Sequence, residues 1–471
     1  MKILYAASES GPFIRTGGLG DVAAALPNAL SAYAEVRVIM PLYEDIPSRF
    51  KDSLVHLGSI TVPLGWRNQY AGLFSGIYNN VTYYFVDNEY YFKRKGLYGF
   101  FDDGERFAFF SRAILELMPL MNFYPDVLHA NDWQTALVPV MLDAFYRDAE
   151  EYKNIKTVLT IHNIEFQGNM DAYCIKDVFG LPDSHYNVAE YRNNANMLKA
   201  GIEAANRVTT VSPTYAEEIL DAYYAYGLED ILRSRKYKLS GIVNGIDTTL
   251  YDPLKDKALF QKYSVRSIGR KAKNRAGLQE LLGLPVADKP LIAMVTRLTT
   301  QKGIDLLLAV IDEVLHLDLQ LVVLGTGDLK YENMLREISS RYPTKLAAII
   351  NFSQDLASKI YAGSDMFLMP SKFEPCGLSQ LLAMRYGSIP IVRETGGLKD
   401  TVLPFNPETG EGTGFSFKTY NAYDMLDAIG RAYNTYQNPE LWAKLVKNAM
   451  SNDTSWKQSA KSYVALYQSL L

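Results

Sequence analysis

Short apolar runs alternate with helical periodicities along most of the chain, and that alternation predicts a βα architecture built on parallel sheets. In the first half, residues 3–7, 36–40, 81–86, 127–130, 157–161 and 207–211 read as strands, with helical patterns at 22–30, 106–118 and 134–145. The second half repeats the order, with strands at 290–296, 319–324, 347–351, 366–369 and 389–392 and helices at 303–315, 329–340 and 356–362. Between the halves, the strand pattern at 239–243, the turn pair Asn244-Gly245 and the breaker Asp252-Pro253 mark a boundary. Asn244-Gly245 fits a hinge or a hairpin equally. The charged stretch 255–277 reads as surface cover. Ala460, Tyr463, Val464 and Tyr467 form a helical stripe, so the last segment is expected to pack on a domain. The expected division is 1–240, 241–455 and a helix at 456–471 returning to the N-terminal domain.

A length of 471 residues allows about two to four domains. With 48% hydrophobic and 21% charged residues the chain is neither disordered nor a coiled coil. Lys and Arg total 48 against 52 Asp and Glu, a net charge of -4 with no long basic block, which argues against a nucleic-acid groove. An anionic small substrate needs only local cations. Cys174 and Cys376 lie far apart and form neither a disulfide framework nor a zinc knuckle, so a reducing cytoplasm is the expected compartment. The first apolar run turns polar at Ser8-Glu9-Ser10, too short for a membrane span and poor as a signal peptide. The five histidines form no metal-ligand cluster, and no metal is expected. Gly17-Gly-Leu-Gly20 and Leu324-Gly-Thr-Gly-Asp328 miss the dinucleotide-binding spacing, and no phosphate-binding P-loop pattern exists. Asp102-Asp103, in a polar turn before a helix, reads as a cap.

The chemistry gathers at strand ends, where open α/β sheets bind ligands. Pro370-Ser-Lys-Phe-Glu-Pro-Cys-Gly377 follows an apolar run and opens a helix, placing Glu374 to touch a polar substrate and leaving Cys376 to packing or backbone support. Thr296-Arg-Leu-Thr-Thr-Gln-Lys-Gly303 brings Arg297 and Lys302 to a helix start, where two cations and free N–H groups hold a diphosphate without metal. Arg15-Thr-Gly-Gly-Leu-Gly-Asp21 sets Gly17 and Gly18 before a helix, an anion-binding arrangement to which Arg15 adds charged donors. Thr395, Gly396, Gly397 and Leu398 echo Thr16 to Leu19, a second glycine-lined strand edge. Asp132, a candidate helix cap, and His162 with Asn163 sit at two further strand ends. The segment from Tyr90 to Gly99 interleaves aromatics with cations; it reads as an aromatic-anchored surface loop or the wall of a carbohydrate groove.

These motifs, in this order and over essentially the whole chain, resemble glycosyltransferase family 5, the bacterial glycogen synthase and plant starch synthase type. The resemblance implies an α/β fold of GT-B type, with two facing Rossmann-like domains and a deep interdomain cleft. It implies transfer of glucose from ADP-glucose, a substrate and not a cofactor, to the non-reducing 4-hydroxyl of an α-1,4-glucan, with retention through a metal-independent front-face route. By carry-over, Glu374 holds donor glucose hydroxyls, Arg297 and Lys302 neutralise the diphosphate, and Asp132 and His162 line the sugar and acceptor side. Arg15, Gly17, Gly18, Asn244, Phe352 and the Thr395 to Leu398 turn become donor-binding, and Tyr98 and Asn163 acceptor-side. The chain departs from the family pattern at Arg15, where Lys is usual, at Asn131, where His is common, and at Phe352, where Tyr is usual. Other readings are a transferase of the same architecture using UDP-glucose or a small sugar acceptor, and a noncatalytic glucan-binding protein.

Overall fold

The computed structural model describes residues 1–471, and the chain divides into two compact units, Met1–Asn244 with Trp456–Leu471, and Gly245–Ser455. The first is built on a nine-stranded sheet in the order Leu239–Gly241, Arg207–Thr210, Lys156–Ile161, Val127–Asn131, Lys2–Ala6, Glu35–Pro41, Val81–Asp87, Arg67–Tyr78, Val55–Leu64. Its first seven strands pair in parallel. The last two form an antiparallel hairpin on the edge, outside the alternation read from the sequence. The strand Val127–Asn131 is fully buried, as an apolar run in a parallel sheet covered on both faces should be.

The second unit carries a six-stranded parallel sheet in the order Leu346–Ile349, Gln320–Leu324, Leu291–Val295, Met366–Met369, Ile389–Arg393, Phe415–Phe417. Strands and helices alternate in both units, the Rossmann-like form expected. In each sheet the strand order reverses at one place: between Lys2–Ala6 and Val127–Asn131 in the first unit, between Leu291–Val295 and Met366–Met369 in the second. At such a point the loops leaving the carboxyl ends of the two strands diverge and open a crevice.

Four expectations change. Asn244-Gly245 is no hairpin: Leu239–Gly241 pairs in parallel with Arg207–Thr210, and Ile246 bridges in parallel to Ser455. The helical pattern at 303–315 breaks into Ile304–Ala309 and Ile311–His316. The charged stretch 255–277 is not all surface, because Lys271 and Asn274 are buried; the Lys271 ammonium donates to the carbonyls of Tyr361 (3.1 Å) and Ala362 (2.6 Å) at the end of helix Gln354–Gly363. A cation at a helix C-terminus satisfies orphan carbonyls, and hydropathy does not register that. Asp102 does not cap; it takes two hydrogen bonds from Arg94, at 2.6 and 2.7 Å, while Asp103 accepts from the Gly99 N–H.

The final helix, Trp456–Gln468, completes the core of the first unit. Trp456, Ala460, Tyr463 and Tyr467 are buried there, and the Tyr467 hydroxyl meets His129 Nδ1 at 2.7 Å. The other ring nitrogen of His129 meets Thr160 at 2.6 Å, and loss of water pushes the imidazole down to about 3, so it stays neutral.

Candidate active site

Glu374 and Lys302 meet at the reversal point of the second sheet. The Lys302 ammonium donates to Glu374 Oε2 at 2.6 Å, and the Ser371 hydroxyl donates to the same oxygen at 3.0 Å. Both charges are nearly out of solvent, with side chains 15% and 9% exposed, which makes this pair stronger than a surface ion pair. Backbone contacts fix the two loops against each other. Lys372 N–H donates to the Gln301 carbonyl (2.8 Å), and Gly303, at φ +76°, lies so close that a Cβ there would come within 2.3 Å of the Pro370 carbonyl.

Arg297, at the same strand end, is exposed, and its guanidinium has no protein partner. The Thr299 hydroxyl two residues on is buried with no hydrogen-bond partner. Phe352, after Leu346–Ile349, is 64% exposed, a ring with an open face.

The Thr395–Leu398 turn closes on the Glu374 loop, and its glycines are demanded by that packing. Gly397 N–H donates to the Glu374 carbonyl at 3.1 Å; a Cβ on Gly396 would fall 2.0 Å from that carbonyl, and one on Gly397 2.2 Å from the Cys376 carbonyl. Leu398 is fully buried with its N–H on the Thr395 carbonyl, so its side chain belongs to the core and not to a ligand surface. Cys376 is buried, and its carbonyl accepts from Gln380 at 2.9 Å.

The matching turn of the first unit differs physically. Gly17 and Gly18 are exposed, neither has positive φ, and a Cβ on either would meet nothing within 4 Å. Neither backbone conformation nor packing calls for glycine there. Arg15 pairs with Asp21 beside this turn. Glu9, which the sequence reading passed over, anchors it: its Oε2 accepts from the Thr16 N–H at 2.5 Å and the Thr16 hydroxyl at 2.9 Å. Burial pushes the Glu9 carboxyl up to about 7 despite those donors. Its signal was present, a carboxylate just after the first strand, placed as Glu374 is placed after Met366–Met369.

At the reversal point of the first sheet, Asp132 adopts φ +54°, uncommon for a residue with a side chain. Asn131, not Asp132, occupies the cap position, and Asp132 Oδ1 instead accepts from the N–H groups of His162 (2.6 Å) and Asn163 (3.4 Å). Loss of water pushes its carboxyl up to about 7 and pushes His162 down to about 3. Asn131 donates through Nδ2 to the Ala6 carbonyl, so its Oδ1 accepts from the Tyr5 hydroxyl and from His162 Nε2, each at 2.9 Å. That orientation assigns the His162 proton to Nε2. Tyr98 meets the Ser8 hydroxyl at 2.7 Å beside the first strand end. Asn244, the last residue of this unit before the crossing, is buried with its Oδ1 unpartnered. No three His, Cys, Asp or Glu side chains converge on one point.

Residues 2–234 match the family model of the starch synthase catalytic domain, and residues 283–451 that of glycosyl transferases group 1. The chain is 52% identical to the glycogen synthase of Clostridium acetobutylicum and 50% identical to that of Bacillus cereus, covering 100% of both chains in each case. Among solved structures it is similar to the catalytic domain of starch synthase IV from Arabidopsis thaliana bound to ADP and acarbose, with a TM-score of 0.90, 33% identity and 99% of each chain covered. Sucrose-phosphate synthase from Thermosynechococcus elongatus, at 17% identity and TM-score 0.62 over 100% of this chain and 98% of that one, shares the fold.

Proposed function

Because the chain belongs to the glycogen and starch synthase family of GT-B glucosyltransferases, we propose that it moves glucose from ADP-glucose to the non-reducing 4-hydroxyl of an α-1,4-glucan, retaining the anomeric configuration and releasing ADP. The observation that carries the reading is the Lys302–Glu374 pair beside an unpartnered Arg297 at the reversal point of the second sheet. Departure of ADP builds negative charge on the bridging oxygen. Fixed cations at that place stabilise the transition state more than the bound donor, which is what raises rate.

Arg297 supplies a planar fork suited to phosphate oxygens, and Lys302 a point charge. Lys302 couples two tasks, since the ammonium that meets the diphosphate also orients the carboxylate that meets the sugar. Glu374 acts as a positioned acceptor for donor hydroxyls and not as a nucleophile; an ammonium and a hydroxyl already hold its oxygen. Leaving and attacking oxygens then share one face of the sugar. The exposed Phe352 ring stacks on the adenine without adding a hydroxyl bond. Within the second unit the Thr395 to Gly397 backbone is assigned to the donor; within the first, Asn244 Oδ1, the Gly17-Gly18 turn and Arg15 are donor-binding candidates of their own. Asp132, His162, Asn163 and Tyr98 complete the acceptor side, with neutral imidazole and a neutral-leaning carboxyl suited to sugar hydroxyls.

A matrix of donors (ADP-glucose, UDP-glucose) against acceptors (maltooligosaccharide, small sugars) tests this. Extension of maltooligosaccharide from ADP-glucose is expected. Extension only from UDP-glucose, or only of a small sugar, would select another transferase chemistry, and glucan binding without turnover a noncatalytic role.

A further inference from the structure

One motif of the second unit has no part in the chemistry described above. Leu324-Gly-Thr-Gly-Asp328, which misses the dinucleotide-binding spacing, ends the strand Gln320–Leu324, beside the strand that leads to Arg297. Neither Gly325 nor Gly327 has positive φ, so backbone conformation does not call for them. Packing does. A Cβ on Gly325 would fall 1.8 Å from the Thr296 carbonyl, and one on Gly327 2.3 Å from the Leu298 carbonyl. Leu298 and Gly327 form a parallel bridge, in which the Leu298 N–H donates to the Thr326 carbonyl and the Asp328 N–H to the Leu298 carbonyl, each at 2.9 Å. The residues on either side of Arg297 are thus laid into a glycine cradle.

The far end of the same loop is pinned by two phenols from elsewhere in the unit. The Tyr331 hydroxyl, on the helix Leu329–Arg341 that follows the cradle, meets Thr300 Oγ1 at 2.7 Å, and its ring is buried. The Tyr420 hydroxyl donates to the Thr300 carbonyl at 2.9 Å and to Asp305 Oδ1 at 2.6 Å. Thr300 opens the tight turn Thr300–Lys302, at whose end Lys302 departs toward Glu374. Burial, and then the Asp305 carboxylate, hold the Tyr420 phenol far above its ordinary range, so it keeps the proton it donates. The Arg393 guanidinium lies over the Tyr420 ring, 5.8 Å from its centroid, and donates to the Lys372 carbonyl in the loop of Glu374 at 2.5 Å.

We propose that Tyr331 and Tyr420 are positioning residues for glucosyl transfer: with the glycine cradle, they hold the loop of Arg297 and Lys302 in the geometry that grips the donor diphosphate. Each acts through Thr300, one on its side chain and the other on its carbonyl. The Arg297 guanidinium has no protein partner, so the backbone alone sets where the side chain starts. On a loose loop that backbone would have to be ordered as the donor binds, which lowers affinity; on a fixed loop the cations are already aimed. The inference rests on the reading that ADP-glucose lays its diphosphate on this loop.

The test uses Tyr331→Phe, Tyr420→Phe and the double variant, which remove hydroxyls and keep the rings. Tyr342→Phe is the control, because it removes a tyrosine–aspartate bond of the same kind in the same unit, to Asp312 at 2.8 Å, away from the loop. Arg297→Ala marks the loss of the cation itself. Readouts are ADP affinity by calorimetry, KM and kcat for ADP-glucose, KM for the glucan acceptor, and thermal melting. In the double variant ADP affinity and kcat/KM for ADP-glucose should fall about tenfold, with glucan KM within about twofold of wild type and Tyr342→Phe indistinguishable from it. If the double variant melts early, the single variants decide by the same comparison. Wild-type donor affinity and kinetics in folded variants, with Arg297→Ala impaired, would overturn the positioning role. So would an equal loss in Tyr342→Phe, which would make the effect a general softening of the unit. Binding of ADP by Arg297→Ala as tight as by wild type would defeat the functional reading instead, a result distinct from either.

Discussion

Glu9 and Glu374 are both nearly buried carboxylates at strand ends, but neutral donors from Thr16 meet the first and an ammonium meets the second. For Glu9 the consequence is a carboxyl pushed up to about 7. A glutamate in the unfolded chain ionises near 4.3, so between there and about pH 7 the native state holds a proton the unfolded state has lost. Stability therefore falls as pH rises through that window, by about 1.4 kcal/mol per pH unit for one such group. Glu9→Gln should flatten part of this slope, the rest belonging to Asp132, whose carboxyl is pushed up likewise. Denaturant unfolding at pH 5 and pH 7 checks it; identical slopes in variant and wild type would contradict it. Arg297→Ala should leave unfolding free energy within about 0.5 kcal/mol of wild type, because the side chain is exposed and unpartnered. Its kcat/KM for ADP-glucose should fall about 10²-fold or more. Glu374→Gln keeps an oxygen for Lys302 and Ser371, so transfer should suffer far more than folding; near-wild-type turnover would remove Glu374 from the mechanism.

Two glycine pairs with the same flanking residues stand in opposite situations. Gly17→Ala meets open space, whereas Gly397→Ala drives a methyl against the Cys376 carbonyl. Gly17→Ala should fold normally and lose donor affinity, and Gly397→Ala should lower soluble yield; melting curves and ADP-glucose kinetics separate the two. The repeated tetrapeptide was legible in the sequence, but the reason for each glycine was not, because it depends on which backbone passes nearby. Arg297, Lys302 and Glu374 were legible because each follows an apolar run and precedes a helix. Glu9 carried the same signal, disguised by two serines as an ordinary polar turn. The edge hairpin Val55–Leu64 and Arg67–Tyr78 escaped because its turn, Gly65-Trp66, has a weak hairpin signature. Lys271 escaped because the helix end it caps lies about ninety residues on. The terminal helix shows the reverse case: the stripe of Ala460, Tyr463 and Tyr467 is local to one helix, and those residues are buried. Tyr467→Phe should strip a partner from buried His129 and cost about 1–3 kcal/mol in unfolding free energy with activity retained.

At the scale of the whole molecule, the chain passes between two units after Asn244 and again after Ser455, and each sheet has its own reversal point. The sequence order of the motifs predicted both Rossmann-like units, because the βα alternation is local. The most direct test of the central claim is a crystal structure of the chain with ADP bound. The account predicts the diphosphate within hydrogen-bond reach of Arg297 and Lys302 at the carboxyl end of Leu291–Val295; a diphosphate bound elsewhere, with both cations untouched, would contradict it.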